Sequence, residues 1–141
     1  MPKENVEIVR NAFDAFNAFI RGERSEEALA ALADPEFEYD WPAERGWPEP
    51  GHSRGVREVF AFIKQVQSAW IDFVWEPLEF IEAPGNRVLT TVRQSARDRE
   101  SGLPDESELF QVFTIRDGRV RKLEFFSRRD RALEAAFGLR D

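Results

Sequence analysis

The chain has 141 residues, a net charge of −7, no cysteine and one histidine. Its length suits one domain with its own core, and it is read as a single domain over residues 1–141. The missing thiols exclude disulfides, thiolate catalysis and cysteine-bound metal, one histidine without ligand spacing leaves neither metal nor cofactor expected, and the acidic balance opposes nucleic-acid binding.

In chain order, Val6, Val9, Phe13, Phe16 and Ile20 recur at intervals of three or four, one stripe of a helix over Val6 to Arg21 that Gly22 can end. Ser25 is placed to cap a second, short helix with Glu26 and Glu27 in its first turn, and Asp34-Pro35 is expected to stop it. Phe37 to Trp41 alternates as a strand, with Phe37, Tyr39 and Trp41 on one side and Glu36, Glu38 and Asp40 on the other. A Pro- and Gly-rich loop is expected from Pro42 to Gly55, followed by a helix over Val56 to Ala69 with Val56, Val59, Phe60, Ile63 and Val66 as its stripe.

The remainder reads mostly as strand. Asp72 to Ala83 contains Pro77, which calls for a bulge or a sheet edge. Pro84-Gly85-Asn86 turns into a strand over Arg87 to Asp98, and a polar loop from Arg99 to Asp105 leads to another over Glu106 to Arg116. Asp117-Gly118 is a two-residue hairpin signal, and Arg119 to Ser127 is the last strand. A short helix over Asp130 to Phe137 is closed by Gly138. The basic run from Arg116 to Arg131 is interrupted by Asp117, Glu124 and Asp130 and falls on both strand faces, so it reads as an ion-paired rim. The first residues lack the apolar run of a signal peptide, and no stretch reaches the roughly 18 apolar residues of a membrane span, so a cytoplasmic location without membrane attachment is expected.

The order is three helices with one strand among them, four long antiparallel strands and a terminal helix. Thirteen phenylalanines and four tryptophans need a large interior, a pocket lining or an interface. The expected fold is α+β: a cone-shaped, curved antiparallel sheet whose helices enclose a pocket. Glu4–Asn17, Leu32–Trp41, Gly55–Phe60, Phe113–Val120 and Asp130–Leu139 together resemble the SnoaL-like branch of the nuclear-transport-factor-2-like superfamily, related to ketosteroid isomerases and polyketide cyclases. That resemblance implies the fold over nearly the whole chain, while the superfamily hosts several chemistries and non-catalytic binding domains.

Three chemistries of that superfamily can be set against these residues. Ketosteroid isomerization needs a carboxylate base at the end of the first strand, where Asp40 lies, and a tyrosine on the first helix, where Ala12-Phe13 stand instead. Epoxide hydrolysis of the limonene-epoxide type needs Arg-x-Asp on a central strand, and the chain has Arg93-Gln94-Ser95. A polyketide cyclase needs one acid/base group in an apolar pocket, and Asp40 and His52 are the candidates. Arg93, Gln111 and Ser127 are candidates to bind a carbonyl, and Tyr39, Trp41 and Trp47 to line the pocket.

Each has a plainer alternative. Asp40 could accept backbone hydrogen bonds at a strand end, His52 could cap or face solvent, Arg93 could pair with Glu108, and Gln111 and Ser127 could satisfy each other. The tryptophans could be core packing. Two functional readings follow. One is cofactor-independent acid/base catalysis, of isomerase, cyclase or dehydratase type, on a small hydrophobic carbonyl compound. The other is a non-catalytic domain that binds a small molecule or dimerizes. In either case the resemblance implies a homodimer through the sheet.

Overall fold

Helix α1 (Pro2–Ile20) presents the expected stripe: Val9 and Phe13 are buried, and Val6, Phe16 and Ile20 pack against the same core. The structure, a computed structural model, describes residues 2–41 and 51–138, without the side chains of residues 2, 3, 41, 51–53 and 62. The short helix α2 (Glu26–Ala30) is capped by Ser25, whose Oγ accepts from the Ala28 amide at 3.2 Å. Asp34-Pro35 does not stop this helix. The helix ends at Ala30, and both residues lie inside strand β1 (Ala33–Trp41), where the extended backbone favoured before a proline is at home. The register of β1 shifts between Ala33 and Glu38, so Pro35 falls where the ladder is already interrupted.

The expected loop from Pro42 to Gly55 ends in a strand instead. β2 (Gly51–Arg54) pairs antiparallel with β1, and residues 42–50 lie outside the described residues. β2 shows no period-2 alternation of its own and draws its strand conformation from this pairing. Helix α3 (Val56–Ala69) has the expected limits, and its start is tied to β1 by the Gly55 amide, which donates to the Phe37 carbonyl at 2.7 Å.

Four long strands follow: β3 (Trp70–Ala83), β4 (Arg87–Asp98), β5 (Pro104–Arg116) and β6 (Arg119–Phe126). The six-stranded curved sheet has the order β2-β1-β6-β5-β4-β3. Every neighbouring pair is antiparallel except β1 and β6, which run parallel. Pro77 meets both expectations for it, since β3 is an edge strand and its register shifts between Pro77 and Glu79. Asp117 and Gly118 take φ of 52° and 76°, as a two-residue hairpin with the right-handed strand twist requires. Helix α4 (Arg129–Phe137) ends at Gly138 in the left-handed conformation. The Arg87 guanidinium satisfies two of its last carbonyls, at Ala136 (3.1 Å) and Ala135 (3.3 Å).

Alternation along the strands divides the sheet into two faces. The inner face carries Phe37, Tyr39, Phe73, Trp75, Val88, Val92, Leu109, Phe113, Leu123 and Phe125, and it meets α1 and α3. The outer face carries Leu89, Phe110, Val112 and Phe126 under Ala132, Ala135 and Ala136 of α4. The exposed β3 edge is partly covered from the inner side. Asn17 of α1 accepts from the Trp75 amide at 3.1 Å and donates to the Trp75 carbonyl at 2.9 Å, the two backbone groups that a further strand would otherwise use.

Candidate functional site

The two helices do not fill the space above the inner face. A cavity of about 110 Å³ remains between α1 (Ala12, Phe13, Phe16), α2 and its exit (Leu29, Leu32), β1 (Ala33, Phe37, Tyr39), α3 (Val56, Val59, Phe60, Ile63), Trp75 of β3, Phe113 of β5, and Val120 and Leu123 of β6. The hydrophobic stripes supply these walls. Val56, Val59, Phe60 and Ile63 are the inward positions of α3, and Phe37 and Tyr39 the inward positions of β1. Stacked and edge-on rings hold the walls apart: Phe16 lies on Trp75 at 4.2 Å between ring centres, and Phe13 stands edge-on to Phe113 at 5.5 Å.

Among the described residues the lining holds two side-chain polar groups. The Trp75 indole N–H is already donated to Gln94 Oε1 at 2.8 Å. The Tyr39 hydroxyl belongs to a ring that meets Phe125 edge-on at 5.0 Å, and burial pushes this phenol well above its ordinary range, so it stays neutral and protonated. No Asp, Glu, Lys, Arg or His is among the described lining residues.

Of the residues singled out in the sequence, the structure brings Tyr39 to this cavity, on the opposite side of β1 from Asp40 as strand alternation requires. Asp40 is on the outer face, 32% exposed, with its carboxylate 3.3 Å from Lys122 Nζ. The His52 main chain pairs in register with that of Asp40, while its side chain lies outside the described residues, as does that of Trp41. Trp47 lies outside them altogether. Arg93 is on the outer face, 48% exposed. Glu108 stands opposite it in register, but its ion pairs run to Glu76 at 3.2 Å and Glu106 at 3.6 Å. Ser127 is exposed beyond the end of β6.

Gln111 differs from all of these. It is 0% exposed and lies on the inner face, between Leu109 and Phe113 along β5 and between Thr90 and Phe125 across the sheet. Thr90 Oγ1 donates to its main-chain carbonyl at 3.2 Å, but neither Oε1 nor Nε2 of its side chain has a hydrogen-bond partner. It therefore does not pair with Ser127. A buried amide without partners costs about 1–3 kcal/mol, so such a group points to a bound water or ligand atom. Sequence reasoning found Gln111 and the inward stripe of α3, without naming the stripe as pocket lining, and missed the Asn17–Trp75–Gln94 connection. The signal for that connection was only the inward parity its residues share with those already read as core.

The outer face of β1 and β6 is a ladder of ion pairs. Arg116 grips the buried Asp34 through two bonds, at 2.6 and 2.9 Å, and Arg121 reaches Glu38 at 2.8 Å. The Arg116 bonds and the Glu36 amide hold the Asp34 carboxyl below its ordinary value. Arg128, Arg129 and Arg131 pair with Asp130, Glu79 and Glu134. Most of the basic run is thus the ion-paired rim read from the sequence. No group of three His, Asp or Glu residues that could hold a metal ion is found among the described residues. No helix among them is long and apolar enough to cross a membrane.

The model of the SnoaL-like domain matches residues 9–123, which includes the greater part of α1, the cavity walls and most of the sheet. The chain belongs to the SnoaL-like family. Its solved neighbours share the nuclear-transport-factor-2-like fold of this SnoaL-like domain. One is a protein of unknown function from Burkholderia pseudomallei K96243, 21% identical with a TM-score of 0.71, the alignment covering 95% of this chain and 97% of that one. A second is TerC co-crystallized with polyporic acid, 20% identical with a TM-score of 0.72 over 94% and 97% of the two chains. A third, named as a proposed SnoaL-like polyketide cyclase from Jannaschia sp. CCS1, is 17% identical with a TM-score of 0.72 over 100% and 96%. No curated protein sequence matches the chain. At these identities the likeness carries the fold and not the reaction.

Proposed function

We propose that this SnoaL-like domain binds a small hydrophobic molecule in its inner cavity. The observation that carries this reading is a partly open, apolar cavity of about 110 Å³ between the helices and the inner sheet face; Gln111, a fully buried amide with both side-chain polar atoms unpartnered, lies on the same face of β5 as the lining residue Phe113. Apolar cavities of comparable size, about 150 Å³, take up benzene or xenon. In this reading the walls, Tyr39 among them, supply affinity, and Gln111 on the same sheet face is a candidate to orient a carbonyl or hydroxyl group that reaches past Phe113. TerC, with polyporic acid, is a precedent for a small molecule accompanying this fold.

Acid/base catalysis of isomerase, cyclase or dehydratase type is the second reading. The name of the Jannaschia relative and the single histidine on β2 support it. Asp40 contributes little to it, because its carboxylate is engaged with Lys122 on the other side of β1. Acetophenone separates the two readings. Binding predicts a saturable rise in Tm that is lost when Val59→Phe fills the cavity, with no exchange of the ketone's methyl hydrogens in D2O beyond buffer background. Catalysis predicts exchange above background that disappears in His52→Ala. No rise in Tm at saturating acetophenone would sink the binding reading.

Pairing through the outer sheet face is a companion proposal. There, Val74 and Ser95 lie beside the charged groups of Glu76, Arg93 and Arg97, and sedimentation equilibrium measures the outcome.

A further inference from the structure

We propose that the short helix α2 is the movable cover of this cavity, and that a ligand enters and leaves between α2 and α3. This rests on reading the cavity as a ligand site, and it adds the route of entry.

The burial of the lining residues shows where the cavity opens. Those on the sheet and deepest on the helices, such as Phe37, Tyr39, Ile63 and Phe113, are buried. The half-buried ones lie on the helices and at the exit of α2, among them Ala12, Phe16, Leu29, Leu32, Val56 and Phe60. The mouth therefore lies among α1, α2 and α3. Its α1–α3 seam is closed at two points: the Phe19 ring meets Phe60 at 5.5 Å, and Gln67 Nε2 donates to the Ile20 carbonyl at 3.4 Å. Among the described residues no hydrogen bond, ion pair or ring contact joins α2 to α3, and α2 packs chiefly on α1.

The cover is lightly held. Arg21 to Ala28 are all exposed, and α2 contains no buried residue. Its hydrogen bonds stay within the segment: Ser25 Oγ accepts from the Ala28 amide, the Ser25 carbonyl from Leu29, and the Glu27 carbonyl from Ala31. On either side the chain is fixed. Before the cover, the Glu23 amide donates to the Ala18 carbonyl at 2.8 Å across the left-handed turn at Gly22. After it, the Leu32 carbonyl accepts from the Val120 amide at 2.9 Å, and Arg116 grips Asp34. Arg24 to Ala31 is thus a strap between two anchors, lying on a hollow instead of a packed core. α2 joins β1 at Ala33, the end of the strand away from Trp41 and residues 42–50. A helix of five residues has little stability of its own, and a segment with few buried contacts opens at a small fraction of the cost of global unfolding. Lids over binding sites are drawn from such segments.

Fluorine-NMR exchange spectroscopy with 4-fluoroacetophenone on the full chain gives Kd and the rates of binding and release. Where passage requires the cover to open, both rates scale with its opening equilibrium and Kd does not. Ser25→Ala removes the cap of α2 and should speed binding and release alike, by about fivefold, with Kd unchanged. Ser25→Asp keeps a capping oxygen and should return both rates to those of the wild type. If Ser25→Ala does not fold, Ala30→Gly loosens α2 from within and should have the same effect. Gln67→Ala, which unties α3 from α1, should leave the rates as they are. Binding whose rates do not respond to loosening α2, or respond to Gln67→Ala instead, overturns the inference but leaves the cavity a ligand site. If 4-fluoroacetophenone does not bind at all, the reading of the cavity falls and the inference falls with it.

Discussion

The two faces of β1 make opposite use of the same nine residues. On the inner side Phe37 and Tyr39 are buried in an aromatic wall, and on the outer side Glu36, Glu38 and Asp40 join a ladder with Arg116, Arg121 and Lys122. A one-residue step along the strand thus separates an uncharged space from a surface where nearly every charge has a partner. Among the described residues the cavity lining is therefore apolar, while the titratable groups of β1 and their partners lie in the ion-paired shell. Four changes would break or sharpen that contrast.

The largest effect is expected inside. Phe113→Ala removes a buried ring that touches Phe13 and lines the cavity, and it should cost about 3–5 kcal/mol in urea unfolding. Next is Gln111→Met, which replaces a buried, unpartnered amide by an apolar group of similar shape. It should raise the stability of the ligand-free protein by roughly 1–3 kcal/mol while weakening acetophenone binding. Stabilization with unchanged binding would remove Gln111 from the ligand site.

On the outer side the expected effects are smaller and depend on pH. The Asp34 carboxyl is depressed in the folded state by Arg116 and the Glu36 amide, so its contribution is in place at neutral pH. It declines as pH falls past the ordinary value of 3.8 and is gone below the depressed folded value. Asp34→Asn should therefore lower Tm at pH 7 and converge with the wild type in strong acid. Curves that stay parallel down to the acid limit would deny the pair that role. Smallest of all, Asp40→Asn loses a half-exposed pair with Lys122 and should cost about 0.2–1 kcal/mol, with acetophenone affinity unchanged.

Much of this was legible in the sequence where local rules suffice. The α3 stripe gave its limits, Asp117-Gly118 its hairpin, and Pro77 its bulge at an edge. What escaped was non-local. The four residues of β2 show no alternation and are a strand only because β1 lies beside them. The parallel pairing of β1 with β6 joins segments more than eighty residues apart. At Asp40 two signals conflicted: its position at the end of the first strand matched a catalytic slot of the resembled family, while the parity of Phe37 and Tyr39 already directed it outward. A pocket under the helices was expected from the resemblance, but the stripe of Val59, Phe60 and Ile63 does not carry it, being the same whether these residues close a core or roof a hollow. Only the distance at which the stacked rings hold α1 and α3 above the sheet decides between these.

Amide chemical-shift mapping with acetophenone tests the division between the two faces most directly. The account predicts saturable shifts at Tyr39, Val59, Ile63 and Phe113, with Arg93, Lys122 and Glu124 unmoved. Shifts concentrated on the outer-face residues, or none anywhere at saturating ketone, would contradict it.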